Sequence, residues 1–274
     1  MIITPTGFNY LRAQSLAFAA GHRDDYTNFA RPYFGITYIR CGHARYYTKT
    51  GNFSLDTGDI LFTPYGSTYI SEWSSASSVS MDTILFNMNR DVCTTAAPGM
   101  RRSYPVQAVR GLEHLGDRIR KAADAYKSFS KDTPPYDTLG WYAEVYAILG
   151  EVWQKIIYDE VPAPDLRLLP ALRCIEENLS GSVTVETLAK CCYMSSSHFH
   201  ACFVKEMGLP PIRYKLKRQV ERAQLMLVMD VDKPVCDIAR ETGFESLSYF
   251  YRVFTGIARM PPGKYREVFG TMLK

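Results

Sequence analysis

Over the first 89 residues the hydrophobic positions fall in short runs rich in Tyr, Phe, Thr and Ile, such as residues 35–40, 44–48 and 59–63. Turn residues punctuate them at Thr50-Gly51-Asn52, Thr57-Gly58-Asp59 and Tyr65-Gly66-Ser67. Short β-prone runs with turns about every eight to twelve positions predict an antiparallel sandwich or barrel. From Gly111 to Asp159 the period becomes helical. Leu112, Leu115, Ile119 and Ala122 share one stripe, Pro134-Pro135 breaks the chain, and Leu139, Tyr142, Tyr146, Leu149, Val152, Trp153 and Ile156 follow at three- and four-residue steps. Two such helices make an αα-hairpin that must bury its stripe on the barrel, on a second copy of itself, or on both.

Val161-Pro162-Ala163-Pro164 disfavours helix and marks a boundary. The expected domains are residues 1–160, a linker at 161–166, and residues 167–274. The last part repeats a pattern. Thr184 caps a helix over 185–192 carrying Leu188-Ala189, a turn follows, and Ser195 or Ser196 caps a second helix with Phe199, Cys202 and Phe203. Pro234 then opens a helix carrying Ile238-Ala239, Thr242-Gly243-Phe244 turns, and Ser246 caps a helix with Tyr249, Phe250, Val253 and Phe254. Each copy reads as helix, turn, helix, and a long helix over 213–229 joins the two. The fold class expected is α+β and multidomain: a β-barrel with a helical hairpin, then an all-α double helix-turn-helix domain.

Charge adds a direction. The net charge is +4; residues 1–164 carry 16 basic and 16 acidic residues, while residues 165–274 carry 16 and 12, so 16 − 12 = +4 lies in the last part. A neutral half joined to a basic half suits a sensor attached to a polyanion binder. Hydrophobic residues at 46% and charged residues at 22% exclude disorder and fibrous repeats. No apolar run is long enough to span a membrane, and seven cysteines without a C-x-x-C suit a reducing compartment, so a cytoplasmic protein without membrane association is expected.

Ile238-Ala239, Gly243-Phe244-Glu245-Ser246, Tyr249-Phe250-Tyr251-Arg252-Val253-Phe254 and Pro262-Gly263-Lys264-Tyr265-Arg266 closely resemble the second-unit signature of the AraC/XylS family of transcription regulators. Leu188-Ala189, Met194-Ser195, Phe203, Lys205-Glu206, Gly208, Pro211 and Tyr214 match its first unit more loosely. The resemblance implies double-stranded DNA and RNA polymerase as partners, a small-molecule effector, and a homodimer. The chain departs from the pattern at Ala201 and Gln219, where relatives carry Arg, which predicts modest DNA affinity, and at Arg259, where a turn Gly is usual.

Gly58-Asp59-Ile60-Leu61-Phe62-Thr63-Pro64-Tyr65-Gly66-Ser67-Thr68-Tyr69 resembles a cupin signature whose last position is a metal-binding His in the enzymes of that fold; here it is Tyr69. Without that His, and with His43 standing alone, the usual ligand set is missing, so neither a metal, a cofactor nor enzymatic activity is expected. His198 and His200, two apart on a helix, point to nearly opposite sides and cannot share a metal.

A recognition helix faces outward at i, i+1, i+4 and i+5. That selects Ser196, Ser197, His200 and Ala201 in the first unit and Leu247, Ser248, Tyr251 and Arg252 in the second. Arg252 suits guanine or a phosphate, and Leu247 and Tyr251 suit thymine methyls. Lys205, Lys215, Lys217, Arg218 and Lys264 are candidates for phosphate neutralisation. Effector candidates are the aromatics Tyr10, Tyr33, Tyr65, Tyr69 and Trp73, with Arg31 or Arg40 to hold hydroxyls or a carboxylate. Arg31-Pro32 matches the sugar-binding Arg-Pro of the family's arabinose-responsive member, which implies a carbohydrate and an effector-binding role for Arg31. The alternatives are a constitutive or co-activator-type regulator without a ligand, and a cupin-type enzyme.

Overall fold

The computed structural model describes residues 8–27, 31, 33–74, 78–88, 100–129, 133–162 and 165–270. The chain divides into two compact units; of the described residues, the first holds those up to 88 and 102–160, and the second holds 100–101 and those from 161 on. Among the described residues no helix is long and apolar enough to cross a membrane.

The first unit holds two antiparallel sheets. Strands β1 (Phe8–Phe18), β8 (Val79–Met88), β3 (Phe34–Cys41), β6 (Ile60–Thr63) and β10 (Gln107–Val109) form one, in that order. Strands β2 (Arg23–Asp25), β7 (Tyr69–Trp73), β4 (Ala44–Thr48) and β5 (Gly51–Leu55) form the other. A two-stranded ribbon pairs β9 (Met100–Ser103) with β11 (Asp159–Pro162). The stretch expected as linker, 161–166, thus holds the end of β11 and the start of a 3-10 turn over Leu166–Leu168.

Side chains alternate across a strand, and here the two faces of the larger sheet differ in chemistry. Leu11, Ala13, Ile36, Ile60, Phe62, Ile84 and Phe86 face one core with helices α1 (Gly116–Lys127) and α2 (Pro135–Trp153). On the other face the Thr37 and Thr83 hydroxyls meet at 2.8 Å, and a Cβ on Gly35 would lie 2.5 Å from Thr63 Oγ1. The hairpin is tied by Trp141 Nε1, which donates to Ala122 O at 2.8 Å, and by Arg118, which pairs with Glu144 and Glu151. Tyr142, Leu149, Val152 and Ile156 are buried as their spacing predicted, but Leu139 is 63% exposed and Tyr146 is exposed too. Helix α2 is apolar on nearly every side: Trp141, Val145 and Ile148 are buried instead, so periodicity alone could not choose the inward face.

The second unit is helical: α3 (Leu169–Glu177), α4 (Val185–Cys191), α5 (Ser196–Met207), α6 (Pro211–Met229), α7 (Val235–Glu241), α8 (Leu247–Ala258) and α9 (Pro262–Gly270). Side-chain oxygens of Thr184, Ser195 and Ser246 accept from the backbone N–H three residues on, capping α4, α5 and α8. Leu168, Ala171, Ile175, Leu188, Ala189, Phe199 and Phe203 make the first core. In the second, Phe244, Phe250, Phe254, Tyr265 and Phe269 pack in series, tilted or edge to face, with ring centroids 4.5–5.5 Å apart. The two turns differ. Gly243 stands at φ 87°, whereas its counterpart Tyr193 holds φ 55° and is 99% exposed. Arg259 closes α8 at φ 59°, in the left-handed conformation its position was expected to need.

Gly116 opens α1 directly beneath the Tyr38 ring, with no room for a Cβ. Helix propensity favours Ala over Gly by about 0.5–1 kcal/mol, but overpacking costs about 1–3 kcal/mol. Gly116→Ala is therefore expected to lower the urea midpoint of the first unit; a raised midpoint would mean that Tyr38 swings away freely.

Candidate functional site

Helix α8 presents its chemistry on a rigid core. Phe250 and Phe254 point inward, fully buried, which leaves Leu247, Ser248, Tyr251 and Arg252 exposed together. The Arg252 guanidinium sits 5.2 Å from the centroid of the Tyr249 ring, and that ring leans on Phe244. Stacking of this kind holds the long side chain in one direction while its N–H edge stays open. Of the two acidic residues placed to compete for it, Glu245 and Glu241, the second pairs with Lys233 at 2.6 Å, and among the described residues Arg252 has no ion pair. Tyr249, expected only as part of the helix that Ser246 caps, is exposed and acts as the platform for Arg252, a role visible only once the i, i+3 neighbours are placed.

On α5, Ser197, His200 and Ala201 are exposed and Ser196 is half-buried. This surface is short and nearly uncharged. His198 and His200 are both exposed, and the His198 Nε2 lies 3.7 Å from Cys202 Sγ, one turn along. Among the described residues no three His, Cys, Asp or Glu side chains gather as a metal site.

Two of the expected phosphate-neutralising residues face inward. Lys215 is 9% exposed; its Nζ donates to Gly181 O at 2.7 Å, and burial pulls its pKa below the ordinary lysine value. Arg218 pairs with Glu176 and Glu221, so its charge is already matched. Gln219 is buried as well and hydrogen-bonds backbone carbonyls, so its departure from Arg says nothing about DNA affinity. The sequence pattern placed all three among surface positions because α6 is amphipathic only weakly: cores pack on several of its sides. Lys205 and Lys217 are exposed, Lys217 with Glu221 at 3.9 Å, and Lys264 pairs with Glu267 at 3.1 Å.

In the first unit a buried cation organises the smaller sheet. Arg31 Nη1 donates to the Tyr69 hydroxyl at 2.6 Å, and its guanidinium lies 4.5, 5.4 and 5.6 Å from the ring centroids of Tyr26, Tyr33 and Tyr69. Asp24 completes the network, accepting from Tyr26 and Ser71 hydroxyls and meeting His22 Nε2 at 3.1 Å. Burial pushes the Tyr26, Tyr46 and Tyr69 phenols up, so all three remain neutral hydroxyls around neutral pH. Trp73 joins through Tyr46, ring centroids 6.3 Å apart. Among the described residues, the buried Arg31 Nε, Ser67 Oγ and Trp73 Nε1 have no hydrogen-bond partner.

The structure therefore brings Arg31, Tyr33, Tyr69 and Trp73 together and adds Asp24, Tyr26 and Tyr46. Asp24 lies on the three-residue strand β2 and Tyr26 just beyond its end, a run too short to recognise from the sequence. Tyr65 stands apart, its ring 6.3 Å from that of Phe34, which packs on Phe62, Phe86 and Trp153. Arg40 turns elsewhere: it pairs with the buried Asp82 at 2.9 Å and lines a cleft of about 400 Å³ with Glu113, His114 and Arg120. Tyr10 lies on β1 opposite Asn87, but its side chain, like Pro32, is outside the described residues. Tyr69, at the position of the metal-binding His of cupin enzymes, here accepts a hydrogen bond from a guanidinium, an arrangement that repels a metal cation.

Residues 188–267 match a family model described as a helix-turn-helix domain. The match covers this domain alone, and its relatives are transcription regulators. Among relatives, a probable transcriptional regulator, LumQ, of Photobacterium leiognathi is 28% identical over 111 residues, 40% of this chain and 44% of its own length. The regulatory protein PocR of Salmonella typhimurium is 31% identical over 107 residues, 39% of this chain and 35% of its own. The chain thus spans less than half the length of these relatives. ToxT of Vibrio cholerae O395 has a similar fold over 94% of this chain and 98% of its own, with a TM-score of 0.55 at 12% identity. A ToxT structure with an unsaturated fatty acid bound covers 98% and 99%, with a TM-score of 0.58 and 12% identity.

On a duplex selected by the wild-type chain from a random-sequence library, Arg252→Ala is expected to cost about 1–3 kcal/mol of binding, and His200→Ala less, by anisotropy titration. The reverse order would make α5 the dominant reader. Lys217→Ala should reduce the slope of log affinity against log salt by about 0.9, while Lys215→Met leaves the slope unchanged.

Proposed function

We propose that the protein is a sequence-specific transcription regulator whose DNA binding responds to a small polar effector held at Arg31. The observation that carries the DNA half is the pair of capped, outward-facing helices in the AraC-type domain, with Arg252 stacked and unpaired by acid. Ser196, Ser197, His200, Lys205, Lys217, Leu247, Ser248, Tyr251 and Arg252 form the contact surface in this reading. Lys205 and Lys217 neutralise phosphates, and the others meet base edges in the major groove.

The effector half rests on Arg31. A guanidinium among tyrosine hydroxyls, with its own Nε and the nearby Ser67 and Trp73 donors unsatisfied, suits a ligand rich in oxygen acceptors. A sugar or sugar acid meets that description, with aromatic faces for its C–H surface. A fatty acid, as in the ToxT structure, would use the same guanidinium for its carboxylate but leave the remaining donors without partners. Tyr69, Trp73 and Tyr33 line this site, while Tyr65 packs by Phe34 and is left out of it. Ligand binding changes DNA affinity only if it favours one arrangement of the chain over another.

A cytoplasmic homodimer that recruits RNA polymerase completes the reading. The exposed apolar residues of α2, Leu139 and Tyr146 among them, support a self-association surface there. A ligand-independent regulator is the alternative that the same DNA domain allows. An enzymatic role is set aside in this reading, since the matched relatives are transcription regulators.

The test is thermal shift of the full chain against sugars, sugar acids and fatty acids, with DNA titrations in the presence of each. A ligand at one hundred times its Kd should stabilise by about 2.7 kcal/mol, and Arg31→Ala should abolish the shift. If no small molecule moves either melting temperature or DNA affinity, the ligand-independent regulator is the correct account.

A further inference from the structure

The two helix-turn-helix units have separate cores, so burial within each does not set the angle between them. What joins them, besides α6 itself, is the loop between α3 and α4. Gln219 Nε2 donates to Leu179 O in that loop at 2.7 Å and to Thr242 O in the turn of the second unit at 2.8 Å. An amide nitrogen has two N–H donors, and these two carbonyls use both; Gly243 O, at 3.4 Å, is the weaker third neighbour. One turn earlier on the same face of α6, Lys215 Nζ donates to Gly181 O at 2.7 Å. Between the two contacts the turn presses close: a Cβ on Gly243 would lie 2.5 Å from Ser180 Cα and 2.8 Å from Leu179 O. Gln219 is 2% exposed and Thr242 fully buried, so water does not replace these bonds when they are lost.

We propose that Gln219 is a positioning residue for DNA recognition: by bridging Leu179 and Thr242 it fixes the angular register of α8 against α5, so that both helices enter the duplex at one spacing. The inference rests on the reading that both recognition helices meet DNA. Two modules joined rigidly at the right phase bind far more tightly than two joined loosely, and they reject a target in which the phase is wrong. Without the clamp the first unit keeps its helices and its core but can pivot on α6. Discrimination between spacings then falls before binding disappears. An arginine at this position would bring five N–H donors, enough to satisfy the same two carbonyls.

The experiment uses the full chain and a duplex that the wild-type chain selects from a random-sequence library. Hydroxyl-radical footprinting locates the two protected segments, and a second duplex carries two extra base pairs between them, a rotation of about 70°. Wild type is expected to bind the second duplex about a hundredfold more weakly. Gln219→Met should bind the first duplex about tenfold more weakly and lose only about threefold more on the second. Gln219→Arg, which restores donors, should discriminate as wild type does. Lys215→Met, a milder release of the same loop, should fall between and serves if Gln219→Met does not fold. Wild-type discrimination by Gln219→Met, or by Lys215→Met in its place, overturns the proposal. So does a Gln219→Arg chain that discriminates as poorly as Gln219→Met. A wild-type footprint of one segment removes instead the two-helix reading, and the clamp falls with it.

Discussion

Helix α6 must serve two cores at once, and the DNA-binding unit takes its form from that constraint. Nineteen residues long, it packs Val220, Ala223, Leu227 and Val228 inward while Lys215, Gln219 and Gln224 are buried with them. A helix flanked on several sides cannot keep polar residues at the surface by default. Its buried polar side chains therefore need backbone partners, and those partners lie in other segments. Interunit hydrogen bonding is a direct result of the packing, and not an addition to it.

The first unit solves a different problem. Its larger sheet separates an apolar face, which the helical hairpin covers, from a face bearing Thr37, Thr63 and Thr83. The smaller sheet carries a guanidinium, a carboxylate and several phenols in one network. Burying Arg31 there is costly, and the tyrosine rings and the Asp24 carboxylate offset that cost only in part. A hydrocarbon interior would be more stable; a polar one gives a site that distinguishes ligands by their hydrogen bonds.

Most of the architecture was legible because local rules and tertiary structure agree. Thr184, Ser195 and Ser246 read as caps and cap; Gly243 and Arg259 stand where positive φ is needed. Illegibility begins where packing overrides the local pattern. Lys215, Arg218 and Gln219 read as surface groups because their neighbours, the 179–181 loop and Glu176, are some forty residues away in sequence. Arg31 and Tyr69 could be singled out individually, yet Asp24 and Tyr26 acquire meaning only when β2 pairs with β7. The inward face of α2 was undecidable for a simpler reason, since a helix apolar on nearly every side carries little directional signal.

The two turns show how a duplicated motif can come to bear unequal constraints. At Gly243 the backbone of another segment occupies the space a side chain would need, so the position has one tenable residue. Tyr193, its counterpart, projects into solvent at a similarly unusual φ and touches little. There the backbone strain is tolerable, and many side chains would serve as well. Two positive-φ turns at matching positions have thus produced one site closed to variation and another open to it. The first unit can therefore accumulate change in its turn, and with it new surface contacts, while the second holds the frame.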